Sequence, residues 1–259
     1  MPVKNLFAIL LLLVLVNPLS AQDTSAFYHI IFLQTGVNQV KDENLHPKVS
    51  TGTMLELSYG FESSRKKNRI SEFHFDLGYS RLRTSFEDLS KSLNLKLKFS
   101  YSQSLQVWKQ NNFRYLLGPE INLAYNIFYF PNWDDSHLYW ADYLSLGPKN
   151  VFILRVHDKN AWISSLSFPL FSVFSRPEPY RLFKIDDTSA EGIAKELNGN
   201  CTATLSRVFF TRIQTEYRFP ILKNKLEAVS YTFEYVRVKS KTGRAFQQLN
   251  HEIGLKIFL

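Results

Sequence analysis

Several segments of this chain alternate strictly between apolar and polar residues. In residues 92–102, the odd positions from Leu93 to Tyr101 are apolar and the even positions are polar. A period of two is typical of a β-strand with one apolar and one polar face. The same alternation recurs in residues 71–80, 113–129, 209–219, 229–236 and 248–259. The pattern therefore predicts an all-β protein.

The length of these segments indicates where the apolar face lies. Strands of soluble proteins average about 5–6 residues, whereas a tilted membrane-spanning strand needs about 9–11. Residues 113–129 alternate over a longer stretch, and their apolar face is rich in Tyr. Such a face would meet lipid, and because lipid offers no hydrogen-bond partners, the sheet must close on itself. The alternative is a soluble periplasmic β protein whose apolar faces pack on each other.

The predicted fold is an antiparallel up-and-down transmembrane β-barrel of about ten strands. We place these strands at residues 26–36, 51–62, 70–84, 91–108, 113–130, 139–156, 161–175, 203–219, 226–239 and 246–259. Inner turns at 62–69, 109–112, 157–160 and 220–225 then alternate with outer loops at 37–50, 85–90, 131–138, 176–202 and 240–245. An even strand number and this rhythm of connections are typical of bacterial barrels.

Four residues disturb the predicted strands. Pro119, Pro148 and Pro169 each remove a hydrogen-bond donor from a strand, which predicts bulges or bends. Asp142 lies on the apolar register of residues 139–156. This strand is therefore a candidate for division into two pieces, and a total of twelve strands is the alternative.

The N-terminus resembles an export signal. Lys4 precedes the apolar run 6–16, which is too short to cross a bilayer and stop there. Residues 19–21 offer a cleavage site before Gln22. We expect residues 1–21 to be a secretory signal peptide and residues 22–259 to form the barrel domain, with an uncleaved anchor as the alternative.

Aromatic residues cluster near both ends of the predicted strands. They are Phe61, Trp108, Phe113, Trp162 and Phe219 at the inner ends, and Tyr129, Trp133 and Trp140 near an outer end. Trp and Tyr favour the headgroup zone of a bilayer. Together with the export signal, the loop rhythm and the apolar C-terminal strand, this pattern resembles small outer-membrane β-barrel proteins of Gram-negative bacteria. That class often ends in Phe, whereas Leu259 follows Phe258 here. The resemblance implies an outer-membrane location and no specific subfamily.

The polar strand faces place charged residues inside the predicted lumen. The acids are Glu56, Glu72, Asp76, Glu120, Glu216, Glu234 and Glu252, the bases are Lys96, Lys98, Arg114, Arg155, Arg212, Arg218 and Lys256, and His74 joins them. Side chains nearly fill a barrel of about eight to ten strands. Balanced charges in that space predict a salt-bridge network that plugs the lumen. The alternative is a narrow polar conduit for small solutes.

The net charge and the residue types limit the classes of partner that we expect. The net charge is +8 and Cys201 is the only cysteine, so the composition excludes a disulfide framework. Bases near the outer rim are Arg81, Arg83, Arg237, Lys239, Lys241 and Arg244. We interpret them as partners for outer-membrane lipid headgroups or lipopolysaccharide phosphates, and expect no nucleic-acid partner. The histidines are scattered, so the sequence predicts no metal site and no cofactor.

One group of residues suggests catalysis. Asp134, Asp135 and His137 lie in the predicted outer loop 131–138, where carboxylates and a histidine could activate water. Ten-stranded outer-membrane proteases resemble this architecture and use paired acids with a His at the rim, but the spacing of their motifs is not reproduced.

The sequence therefore favours a non-enzymatic outer-membrane protein, structural or adhesive, or an accessory subunit of an envelope assembly. Loop 176–202 is the expected contact for an envelope protein partner. A narrow channel and a rim-located surface hydrolase are the alternatives.

Overall fold

A computed structural model of the chain describes residues 26–43, 46–65, 68–84, 91–131, 138–157, 160–176, 201–203, 208–222, 225–239 and 244–259. These residues form thirteen strands of one sheet. The strands are β1 (Ala26–Asp42), β2 (His46–Arg65), β3 (Arg69–Arg83), β4 (Lys91–Gln110), β5 (Phe113–Tyr129), β6 (Leu138–Trp140), β7 (Asp142–Arg155), β8 (Ala161–Ser167), β9 (Phe171–Ser175), β10 (Cys201–Ala203), β11 (Val208–Leu222), β12 (Lys225–Lys239) and β13 (Ala245–Phe258). Within the described ranges, no helix is long and apolar enough to cross a membrane.

The sheet closes into a barrel of ten strand positions. β1 pairs with β13 on one side and with β2 on the other, and consecutive antiparallel hairpins continue to β5. β5 pairs with β7, β7 with β8 and β8 with β11, and β12 completes the ring to β13. β6 extends the position of β7, β9 that of β8, and β10 that of β11. The predicted all-β, ten-position antiparallel barrel is confirmed.

The hairpin between β1 and β2 is longer than predicted. The expected loop 37–50 is mostly strand, because β1 continues to Asp42 and pairs there with His46. Val37 is exposed on the outside, whereas Val40 is buried inside the barrel. Ile30 and Phe32 are also buried inside the barrel, so β1 carries apolar residues on both faces, and a pattern that assumed one apolar face could not follow it to its end.

The strand predicted at 139–156 is divided, as its register suggested. β6 and β7 both pair with β5, so the division does not add a position to the barrel. Asp142 sits at the junction, where its Oδ1 accepts a hydrogen bond from the backbone N–H of Asn126 at 3.0 Å. Pro119 and Pro148 face each other between β5 and β7, and the break between β8 and β9 contains Pro169.

The interior of the barrel changes character along its length. At the end where the longer connections lie, fourteen buried apolar residues form a cluster that we call the roof. Its members are Val40, Leu82, Ala124, Phe128, Phe130, Tyr139, Ala141, Tyr143, Phe174, Val208, Phe210, Val236, Val238 and Phe246. Below the roof lie buried acids and bases, which we call the charged section. Smaller apolar clusters around Phe32 and Leu116 lie inside the barrel toward the short turns.

Candidate functional site: the barrel interior

The centre of the charged section is Glu234, which faces two lysines across the lumen. Lys96 Nζ lies 3.0 Å from Glu234 Oε1, and Lys98 donates to Glu234 Oε2. Lys96 Nζ also lies 3.3 Å from Glu56 Oε2, and Gln34 Nε2 donates to Glu56 Oε1 at 2.7 Å. All five side chains are buried. Because these contacts join β1, β2, β4 and β12, they fill the lumen instead of lining one wall.

A second group surrounds Arg218 on β11. Its Nη1 and Nη2 donate to the two oxygens of Glu62 at 3.0 and 2.7 Å, a forked geometry that suits a carboxylate. Its Nε donates to Glu216 at 2.6 Å, and Lys256 donates to the other oxygen of Glu216 at 2.5 Å. The guanidinium also lies 4.6 Å from the ring centroid of Phe258. Ion pairing and cation–π contact therefore close this part of the lumen.

A third group surrounds Lys149 on β7. It donates to Glu72 and to Ser102 Oγ, and its Nζ lies 3.9 Å from Glu120. The sequence did not predict Lys149 as an inward residue. Val151, which faces inward, and Phe152, which faces outward, are both apolar. Alternation of apolar and polar residues therefore did not show which positions of this strand face the lumen.

The structure places most of the predicted lumen charges inside the barrel. Glu56, Asp76, Lys96, Lys98, Arg114, Glu120, Glu216, Glu234, Glu252 and Lys256 are buried, and Glu72, His74, Arg212 and Arg218 are half-buried. The prediction that Arg155 faces the lumen is wrong, because Arg155 is exposed at the end of β7. The rim residues Asp134, Asp135 and His137 lie outside the described residues.

Small cavities lie in the described interior. One of about 20 Å³ is bounded by Glu72, His74, Lys149, Gln214, Glu216 and Lys256, among others. One of about 10 Å³ lies in the roof, between Val40, Leu82, Phe128 and Phe246. Each has room for about one water molecule. Among the described residues, no group of three or more His, Cys, Asp or Glu side chains is arranged to hold a metal ion.

Bases on the outer surface lie at the level of the roof. Arg81, Arg83 and Lys239 are exposed, and Arg237 is half-buried. Lys91, which the sequence analysis did not include, faces Arg83 across the β3–β4 pair. Lys241 lies outside the described residues. At this level the exterior therefore carries bases together with exposed aromatic residues such as Tyr129 and Phe209, while the interior is apolar.

Comparison with solved structures supports the architecture. The crystal structure of outer membrane protease OmpT from Escherichia coli superposes with a TM-score of 0.54 at 9% sequence identity, covering 94% of this chain and 99% of that one. The chain has the fold of an outer-membrane β-barrel. An outer-membrane channel from Pseudomonas putida F1 gives a TM-score of 0.41 at 10% identity, with 94% and 100% coverage.

The translocator domain of autotransporter NalP from Neisseria meningitidis gives a TM-score of 0.40 at 9% identity, covering 98% of this chain and 95% of that domain. Likeness at such low identity concerns the fold alone. No protein-family model matches the sequence, and no curated protein matches it either.

Proposed function

We propose that this protein is an outer-membrane barrel with a closed lumen that acts without catalysis. Its role would be structural or adhesive, or that of an accessory subunit of an envelope assembly. The observation that carries this proposal is the filled interior, where ion pairs such as Lys98–Glu234 cross the lumen beneath an apolar roof. A pore would need a continuous opening through both the roof and the charged section.

The exterior supports the membrane location. Leu55, Leu57 and Tyr59 on β2 are each at least half exposed, and Leu255 and Ile253 continue the apolar surface on β13. A soluble monomer rarely exposes so large a continuous apolar surface, whereas lipid covers it at no cost. With the signal peptide expected at residues 1–21, this surface favours the bacterial outer membrane.

The location is tested by gel mobility of the protein from an outer-membrane fraction, unheated and boiled. A closed barrel resists detergent until it is boiled, so we expect the two samples to migrate differently. An unshifted protein recovered from the soluble periplasm would contradict the proposal, because the apolar faces would then pack on each other.

The closed lumen is tested by conductance in planar bilayers. We expect no steady conductance from the purified full chain. The matched variant opens both sections, with Ala replacing Lys96, Lys98 and Glu234 in the charged section and Phe128 and Phe246 in the roof. It should raise conductance if its heat-dependent mobility shows that it still folds. Stepwise conductance of the unmodified protein would instead support the narrow-channel alternative.

The rim-hydrolase alternative has a separate test. A surface activity that is lost in Asp135→Asn or His137→Ala would support it, whereas an activity that both variants retain would exclude these residues. The likeness to a protease concerns the fold only, so it adds no support for this alternative.

Lipid is the first partner that we propose. Arg81, Arg83 and Lys91 form a basic exterior patch at the roof level, and Lys239 on β12 is a further exposed base. Such positions suit the phosphates of lipopolysaccharide or other anionic headgroups. Loop 176–202, whose residues 177–200 lie outside the described residues and whose last two residues belong to β10, remains the proposed contact for an envelope protein partner. Capture of partners by the full chain but not by a chain that lacks residues 177–200 would test it.

A further inference from the structure

We propose that Arg176 is a latch that holds the outer mouth of the barrel shut. This inference rests on the proposed closed lumen and assigns the closure at the mouth to one side chain. Arg176 follows the last residue of β9, at the start of the longest connection in the chain. Its side chain is only 1% exposed, which is unusual for an arginine at the rim of a barrel.

Three separate segments accept hydrogen bonds from this guanidinium. Its Nη2 donates to Asp42 at the end of β1, its Nε donates to Tyr139 Oη at 2.7 Å, and its Nη1 donates to the carbonyl of Arg244 at 3.2 Å. These acceptors belong to β1, β6 and the residue before β13. The contacts run across the mouth, whereas the strand ladders run around the wall.

Two hydrogen bonds between Glu43 and Ala245 join the ends of β1 and β13. Glu43 N–H donates to the carbonyl of Ala245 at 3.0 Å, and Ala245 N–H donates to Glu43 Oε2 at 2.8 Å. β1 and β13 are therefore joined up to their ends without Arg176. Loss of the latch should leave the barrel wall paired and release only the closure above the lumen.

The roof needs such a fastening because apolar contacts alone are not directional. Tyr139 and Asp42 line the cavity in the roof together with Phe128 and Phe246. Arg176 thus holds both the roof residue Tyr139 and the carboxylate of Asp42 in place. Removing the guanidinium takes away the positive charge that contacts the buried Asp42 carboxylate, which favours entry of water and opening of the roof.

The experiment measures access to a cysteine placed under the roof. In a Cys201→Ser background, Ser80→Cys puts a thiol at a buried inward position one step below Leu82. A charged thiol reagent is added to the folded protein in vesicles. We expect Arg176→Ala to raise the labelling rate at this position by about tenfold or more, since local opening governs access.

Two control positions separate a latch from general loosening. Thr51→Cys faces outward at the rim and should react equally with and without Arg176. Ser100→Cys, buried deeper in the lumen, should stay protected in both proteins. Faster labelling at Ser100→Cys as well would overturn the proposal, because the whole barrel would then have loosened.

Chemical rescue supplies the decisive arm. Millimolar guanidinium should slow the labelling of Ser80→Cys in Arg176→Ala, whereas sodium at the same concentration should not. The rescue should be absent when Asp42→Asn is added. Unchanged labelling in Arg176→Ala, or no response to guanidinium, would contradict the latch. Conductance of the unmodified protein would instead contradict the closed lumen.

Discussion

The roof and the charged section of the lumen have opposite arrangements of polar and apolar residues. In the charged section, buried ion pairs such as Lys96–Glu234 lie behind an exterior of Leu57 and Leu255. In the roof, buried Phe246 and Val238 lie behind an exterior that carries Arg83 and Lys239. The roof therefore resembles the core of a soluble barrel. The charged section has the opposite arrangement, with charged residues inside and apolar residues outside.

We propose that the medium outside the barrel explains this difference. At the level of the charged section lipid covers the apolar exterior, so apolar groups gain nothing by turning inward, and polar groups can be satisfied only inside. At the roof the exterior meets headgroups and water, so burying apolar groups inside is favourable. On β1 the inward residues change from Gln34 and Asn38 to Val40 at this boundary.

The largest expected effect comes from a charge placed in the roof. Phe246→Asp removes a fully buried ring and puts a carboxylate beside Asp42, its partner position on β1. We expect a loss of at least about 5 kcal/mol in unfolding free energy, or failure to fold. Urea unfolding in detergent measures it, with Phe246→Leu as the control, which should cost less than about 1.5 kcal/mol. A stable Phe246→Asp protein would mean that the roof is wet.

The next effect comes from removing the central acid of the charged section. Glu234→Gln keeps the shape but takes away the carboxylate that both Lys96 and Lys98 contact. We expect a loss of about 3–5 kcal/mol, because buried Lys98 loses the carboxylate that it contacts and buried Lys96 keeps only Glu56. Glu227→Gln on the outward face of the same strand is the matched control and should change little. Equal stability of both variants would mean that the contacts of Glu234 with Lys96 and Lys98 do not stabilise the barrel.

A smaller effect is expected when a whole ion pair is replaced. Lys149→Met and Glu72→Met should each destabilise the barrel by about 3–5 kcal/mol, whereas the double variant should lie within about 1 kcal/mol of the unmodified protein. The same unfolding assay gives the coupling energy. Additive losses would mean that Lys149 and Glu72 act independently, despite their direct contact.

The smallest effect concerns the rim beside the roof. The Ala245 N–H donates to Glu43, and this hydrogen bond holds the pKa of the Glu43 carboxyl below its usual range. A lowered pKa means that this stabilisation is present above the usual pKa of Glu and disappears as the pH falls through the lowered value. Glu43→Gln should therefore cost a little stability near neutral pH and nothing in acid. A difference that persists in acid would assign it to another cause.

The fold could be predicted from sequence because lipid imposes a simple pattern. Wherever the exterior is apolar and the interior polar, as in residues 93–101, alternation located the strand closely. The pattern failed for the end of β1, where Val40 turns inward. It failed because the exterior there meets a different medium, which a pattern with one fixed apolar face does not represent.

The interior was predictable only where its side chains are polar. Glu234 and Lys96 followed from alternation, but Lys149 lies in a strand with apolar residues on both faces. Glu62 was assigned to a turn, although β2 continues to Arg65. The latch was not predictable, because Arg176, Asp42 and Tyr139 are brought together only by closure of the barrel.

The account's central claim is that the exterior changes medium between the two sections, and cysteine labelling on one strand tests it most directly. In a Cys201→Ser background, Thr51→Cys lies outside the roof and Leu57→Cys lies outside the charged section, and both are exposed in the structure. In lipid vesicles, we predict that a membrane-impermeant maleimide labels Thr51→Cys and leaves Leu57→Cys unlabelled, with both labelled after denaturation. Equal labelling of the two positions in folded protein would contradict the account, because water and not lipid would then surround the charged section.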